Sequence, residues 1–318
     1  EKFMFWFMLE GTTECAFARA FLGVCWNLLA RGDSSQRVGH KHLIWRSDAC
    51  GIPFAHGKNN QQADSRKRQP RHVYCNPLNA LANSILAIFE YMCYFPEIIQ
   101  NADGPLFPGP DESQAKRFGD IFDKIKKKHE HELNEMGYDI DDLGIHSIRK
   151  GGTSFVSSGT TAAPSGASVN LRGDWSQGGC RDIYVLYERA GDHYTGRVLS
   201  GLPVLSAQFA LSHPDFVPVE VGLSVVDLQE KQHIVDEKVS KAVSELFGDA
   251  IPVNLRQFFR IGLASFLHHR TTLEEVYATT AQVRNTALYR STSIADLHEF
   301  VKVSVPWEGD MTAYLQKA

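Results

Sequence analysis

Apolar residues recur every three or four positions from about Thr12 to Leu29, ending in Phe21-Leu22-Gly23-Val24-Cys25-Trp26-Asn27-Leu28-Leu29. This spacing predicts an amphipathic helix that closes just before Arg31. Gly32-Asp33-Ser34-Ser35 then reads as a break. His42-Leu43-Ile44-Trp45 and Gly51-Ile52-Pro53-Phe54-Ala55 predict two short strands, with Gly57-Lys58-Asn59-Asn60 as the turn after the second and Arg71-His72-Val73-Tyr74 as a possible third. Helical spacing returns from Asn79 to Tyr94. Residues 101–113 read as a Gly/Pro/Asp loop and residues 114–136 as a charged surface helix. Further helices are expected after Leu143 and from Gly178 to Ala190.

Near Pro203 the character of the chain changes. Pro203, Pro214 and Pro218 space an extended linker, and four helices are expected around 227–247, 254–269, 272–288 and 293–303. The third opens with Thr272-Leu273-Glu274-Glu275, the spacing of a capping box. The expected division is therefore a main domain over residues 1–203, a linker over 204–226 and a helical extension over 227–318. The apolar start, Phe3-Met4-Phe5-Trp6-Phe7-Met8-Leu9, is too short to span a bilayer and lacks the basic beginning of a signal peptide, so it is expected in the core or in a contact between domains. The chain opens on Glu1 instead of Met, and a domain upstream is expected.

With 318 residues, 43% of them hydrophobic, the chain can bury a sizeable core. Its net charge of −4 counts mildly against a nucleic-acid partner. The excess sits in the tail, however. Residues 1–200 hold 23 basic and 23 acidic side chains, and the remaining 10 basic and 14 acidic ones follow. A neutral main domain can still present a basic face. Cys15, Cys25, Cys50, Cys75, Cys93 and Cys180 show neither CxxC pairs nor zinc spacing, as expected of buried thiols in a reducing compartment.

The strongest local signal is Gly144-Ile145-His146-Ser147-Ile148-Arg149-Lys150-Gly151-Gly152. On a helix His146 and Arg149 share a face, pairing a bidentate anion-binding fork with a group that exchanges a proton near pH 7. An HxxR spacing is common by chance, and an exposed pair on any helix satisfies it. Here it belongs to an ordered set. Arg31 and Lys58 precede it, Gly173-Asp174-Trp175-Ser176 follows, and Tyr184 comes nine residues after Trp175 within Arg181-Asp182-Ile183-Tyr184-Val185-Leu186-Tyr187.

The order Arg, Lys, HxxR, Trp, Tyr resembles the active-site series of the tyrosine recombinases, the phage integrases and their relatives. The resemblance extends to the Crypton-type recombinases of eukaryotic mobile elements through Trp26-Asn27-Leu28-Leu29-Ala30-Arg31, Arg71-His72-Val73-Tyr74 with Asn76-Pro77, and Leu106-Phe107-Pro108-Gly109. Arg172-Gly173-Asp174-Trp175-Ser176 and Gly191-Asp192 before Gly196-Arg197 add to it, over roughly residues 11–203. It implies an α+β, mostly helical catalytic domain with a small antiparallel sheet, followed by the helical C-terminal extension. It further implies that Arg31 and Arg149 hold the non-bridging phosphate oxygens, that His146 accepts the proton of the Tyr184 phenol, and that Lys58 protonates the leaving 5′ oxygen. Trp175 would pack against the phosphate or donate its indole N–H. The partner implied is double-stranded DNA, with assembly to a tetramer on two duplexes and a monomer without DNA. The same resemblance implies no metal, no small-molecule cofactor and no membrane, and a nuclear location for a eukaryotic protein.

Alternatives accompany each role. Arg31 can simply face the carboxyl end of its helix, Lys58 can be a solvated turn residue, and Trp175 can be core. Tyr187 shares a helix face with Tyr184 and is the second candidate nucleophile, with Tyr194 a distant third. Arg66-Lys67-Arg68 and Lys126-Lys127-Lys128 are candidate DNA-backbone or nuclear-import patches, or solvated surface. The whole chain is read as an active recombinase, against a domesticated binding protein that kept the fold and lost the chemistry, or a tyrosine-type topoisomerase.

Overall fold

The predicted helix over Thr12–Leu29 is present as α2 (Thr13–Leu28), and the rest of the molecule is built around it. The computed structural model describes residues 1–53, 69–108, 114–178, 189–218 and 225–304. The Thr12 hydroxyl accepts from the Cys15 N–H at 3.1 Å, which starts α2, and Phe17, Phe21, Val24 and Leu28 are buried along it. Preceding it, α1 (Lys2–Glu10) places Trp6 and Phe7 in the same core.

The three-stranded sheet is antiparallel: β1 (Ile44–Arg46), β2 (Ala49–Pro53) and β3 (Pro70–Val73), with Trp45 opposite Cys50 and Cys50 opposite Val73. The architecture is thus mostly helical with a small antiparallel sheet. Cys15, Cys25, Cys50, Cys75 and Cys93 are buried free thiols, and among the described residues no helix is long and apolar enough to cross a membrane.

Several elements differ from the sequence reading. Gly32–Ser35 is a single helical turn, α3, instead of a plain break. The helix expected from Asn79 begins only at Ser84, as α4 (Ser84–Met92). Three asparagines delay it. The side-chain carbonyls of Asn76 and Asn79 accept backbone N–H groups two and three residues on, and Asn83 caps the Leu86 N–H at 3.1 Å. The charged stretch 114–136 is two helices, α5 (Gln114–Lys128) and α6 (Glu130–Glu135), parted at His129. It is not a purely surface feature, because Phe118, Ile121, Phe122 and Ile125 face the core. Of its lysines, Lys126 is buried and donates to the Ile140 and Leu143 carbonyls, and Lys128 pairs with Glu10. Two members of the expected basic patch are therefore committed within the chain.

α7 (Ile145–Ser158), α8 (Gly166–Arg172) and α9 (Arg189–Leu199) complete the first part. In the proline-spaced stretch after 203, β4 (Pro214–Phe216) pairs with β5 (Val301–Val303). α10 (Val225–Phe247) is followed by α11 (Val253–Val276), which runs unbroken through Thr272. The Thr272-Leu273-Glu274-Glu275 spacing thus lies inside a helix, because buried Leu273 continues the apolar stripe of Phe259 and Phe266. Beyond it, short turns at Gln282–Asn285, Ala287–Arg290, Thr292–Ala295 and Asp296–Phe300 stand where two further helices were expected.

α11 packs directly on α4. A Cβ at Gly262 would lie 2.5 Å from the Phe89 ring. The Asn83 amide donates to Ser265 Oγ at 2.7 Å, and buried Arg19 of α2 pairs with Glu90 of α4 and donates to the Tyr277 hydroxyl at 3.0 Å. One apolar core contains residues from both sides of position 203.

Candidate active site

Four of the six side chains singled out in the sequence meet at one place. Arg31, His146, Arg149 and Trp175 line a single cavity of about 420 Å³, together with Lys150, Thr153 and Ser154. Lys58 and Tyr184 lie outside the described residues, as do Tyr187 and Arg66-Lys67-Arg68.

Arg31 reaches the cavity because α2 ends abruptly. The Leu29 N–H donates to Trp26 O at 3.2 Å and the Ala30 N–H to Cys25 O at 3.0 Å, a Schellman closure with Leu29 left-handed at φ 46°. The chain then extends at Arg31, whose carbonyl accepts from both Ser34 and Ser35 to start α3. Gly32 lets α3 meet the next element: a Cβ there would sit 2.4 Å from Ile145 Cδ1, at the first turn of α7.

α7 begins at Gly144, whose N–H donates to the Ser147 hydroxyl at 3.1 Å. His146 and Arg149 project from its outward face, and Ile148 and Val156 from its buried one. Gly151 and Gly152 allow α7 to lie close against α2, because a Cβ at 152 would meet Leu29 Cδ2 at 2.8 Å. Leu29 is itself fully buried with Val156, Val169, Val198 and Leu199.

Trp175 arrives by the same device as Arg31. α8 ends with Asp174 left-handed at φ 55°, its N–H on Leu171 O and the Trp175 N–H on Asn170 O at 2.9 Å. Leu29, Ser47 and Asp174 are the non-glycine residues of positive φ among the described residues. Two of the three therefore lie just ahead of a wall of this cavity, Leu29 two residues before Arg31 and Asp174 directly before Trp175, at roughly 1–2 kcal/mol of backbone cost each. The Trp175 indole folds over Gly173, where any Cβ would lie 2.4 Å from it. On the ring rests Arg149, its guanidinium carbon 4.3 Å from the ring centroid, while Nη2 donates to the Gly173 carbonyl. Trp175 and Gly173 thus hold the Arg149 guanidinium in place.

The electrostatics fit an anion. Burial, together with the nearby positive charge of Arg31, pushes the Arg149 guanidinium down to about 10, and the Asp174 carboxylate acts in the opposite sense. Neither Arg31 nor His146 has a side-chain hydrogen bond or ion pair to another described residue. Two neighbouring guanidiniums, one of them without a carboxylate partner among the described residues, suit a phosphate with two oxygens to share.

Beneath this wall lies a buried polar network. Arg172 donates to Asn27 O, His72 O and Asp192 Oδ1, the last at 2.7 Å, and Asp192 Oδ2 accepts from the His72 N–H at 2.9 Å. Arg172 and His72 hold the Asp192 carboxyl well below the usual carboxylate range against its burial. Arg71 caps α8 through the Leu171 and Arg172 carbonyls. The phrases Arg71-His72, Arg172 and Gly191-Asp192 are thus structural: they tie β3, α8 and α9 together behind the cavity. Tyr194 is engaged elsewhere, donating to Ala162 O at 2.6 Å. Sequence reasoning passed over Lys150, Thr153 and Ser154 as site residues, although their offsets of four, seven and eight from His146 place them on its helical face.

No protein-family model matches this chain, and no characterised protein or solved structure compared with it does so either.

Proposed function

We propose that this chain cleaves and rejoins DNA strands as a tyrosine recombinase, through a 3′-phosphotyrosyl intermediate. The observation that carries the reading is the convergence of Arg31, His146, Arg149 and Trp175 on one cavity from positions 144 residues apart. Arg31 and Arg149 bind the non-bridging oxygens of the scissile phosphate and stabilise the charge that develops there. The Tyr184 phenol, whose ordinary pKa is about 10, gives its proton to His146 and attacks phosphorus. The P–O5′ bond breaks, and Lys58 protonates the leaving 5′ oxygen. A 5′ hydroxyl from another strand then attacks the phosphotyrosine, restores the phosphodiester and releases the phenol. The phosphodiester energy is kept in the intermediate, so no nucleotide is consumed. Double-stranded DNA is the substrate, a tetramer on two duplexes the working assembly, and the nucleus the site of action in a eukaryotic cell.

The test is a nicked duplex that traps the covalent protein–DNA adduct. Wild type forms it, Tyr187→Phe retains it and Tyr184→Phe abolishes it; Arg31→Ala and Arg149→Ala slow it by about 10²–10³-fold. If Tyr184→Phe keeps the adduct, the nucleophile is another residue. Duplex binding by wild type with no adduct would mean a protein that kept the fold and lost the chemistry. Relaxation of supercoiled plasmid without strand exchange would point to a topoisomerase.

A further inference from the structure

The cavity wall contributed by α7 is longer than one phosphate needs. His146, Arg149, Lys150, Thr153 and Ser154 all line it, and their spacing of three, four, seven and eight residues is that of one helical stripe. Ser157, exposed, continues the stripe one turn further. At 1.5 Å per residue it runs about 16 Å, whereas phosphates recur about every 3.4 Å of axis along a DNA strand. The helix carries no acidic residue from Ile145 to Ser158. Along the stripe the cations lie in the first half, at Arg149 and Lys150, and the hydroxyls in the second, at Thr153, Ser154 and Ser157.

Within that stripe the side chains divide. Arg149 is fixed by Trp175 and Gly173 and faces Arg31, so its position is set before any ligand arrives. Lys150 is exposed and makes no ion pair with a described residue; its helical position is on the other flank of the stripe from Arg149, with Ser154 one turn on. The Thr153 hydroxyl already donates to Arg149 O at 2.8 Å. Lys150 and Ser154 therefore remain as a second, separate pair of donors beside the two-arginine centre.

Resting on the recombinase reading, we infer that α7 lies along the DNA backbone and that Lys150, with Ser154, holds a second phosphate of the duplex next to the reacting one. Lys150 is then a positioning residue: it fixes which phosphate comes to rest between Arg31 and Arg149.

Fluorescence anisotropy of the full chain on a mixed-sequence duplex oligonucleotide, measured from about 50 to 200 mM salt, tests this. Loss of one phosphate contact reduces the slope of log affinity against log salt by about 0.9. Across that range Lys150→Gln then loses about 3.5-fold less affinity than wild type. Lys150→Arg keeps the wild-type slope, as does Lys231→Gln on α10. Ser154→Ala weakens binding without changing the slope, since a hydroxyl releases no counterion. A Lys150→Gln slope equal to wild type overturns the inference, and so does a wild type that shows no salt-dependent binding. The adduct assay is read separately. A slope change without any adduct leaves the second phosphate site standing and removes the cleavage chemistry; an adduct with an unchanged slope does the reverse.

Discussion

The guanidinium carbon of Arg149 stands over the Trp175 indole, 4.3 Å from the ring centroid, while Nη2 donates to the Gly173 carbonyl. One guanidinium is thereby oriented by a residue 26 positions away. A cation–π contact of this kind is worth roughly 0.5–2 kcal/mol.

Trp175→Ala removes the platform and leaves Arg149 in place. The expected result is adduct formation slowed about 10-fold, less than the 10²–10³-fold loss for Arg149→Ala, with DNA affinity nearly unchanged. Equal losses for the two variants would mean that the indole does more than orient its neighbour.

At the back of the cavity wall, Gly196 admits the backbone of β3. An added Cβ would stand 2.2 Å from the His72 carbonyl, and a backbone oxygen cannot swing aside as a side-chain tip can. Gly196→Ala is expected to cost about 1–3 kcal/mol or more, read as a lower urea midpoint. An unchanged midpoint would show that α9 can shift away from His72 at no cost.

His269 of α11 is buried, and its Nε2–H donates to the Asn76 carbonyl at 2.9 Å. Burial pushes its imidazole down to about 4, below the ordinary value near 6.5. Between those two values the unfolded chain binds a proton that the folded chain refuses. The contribution is therefore full above about pH 6.5 and is lost as the pH falls to about 4, by on the order of 3 kcal/mol. His269→Gln should flatten the stability profile in that window alone; parallel profiles for variant and wild type would rule this out.

Arg19 and Glu90 are both almost wholly buried, and Tyr277 shares their pair. Glu90→Ala leaves the guanidinium uncompensated and is expected to destabilise by about 3–5 kcal/mol. Arg19→Met with Glu90→Leu restores an apolar filling and should recover most of that loss. Calorimetry of the single and double variants decides it, and a double variant as unstable as the single one would contradict the assignment.

Much of the scaffold was legible because its signals are local. The α2 period, the three strands and the His146–Arg149 face depend on neighbours within a few residues, and the structure has all of them within one or two positions. The late start of α4 was hidden, since three asparagine side chains outweigh the apolar spacing of Asn79–Ser84. Thr272 misled for the opposite reason: a capping spacing is also a common accident inside a long helix whose buried stripe continues. The division of labour between Arg172 and Arg149 was not readable either. Both belong to the same series of phrases, but one is sealed against Asp192 and the other opens to the cavity. Only long-range contacts separate them.

The pairing of β4 with β5 brings Asp215 opposite Lys302 and returns the chain to its point of departure after a long excursion. A protease cut in the exposed turn at Asp249 and Ala250 would therefore release nothing. The piece before the cut holds β4 and the piece after it holds β5, and the second piece also carries α11, which is wedged against α4. Such a nicked molecule should elute from a sizing column at its intact volume and separate into two fragments only in detergent, so this part of the chain behaves as a clasp whose grip does not depend on covalent continuity.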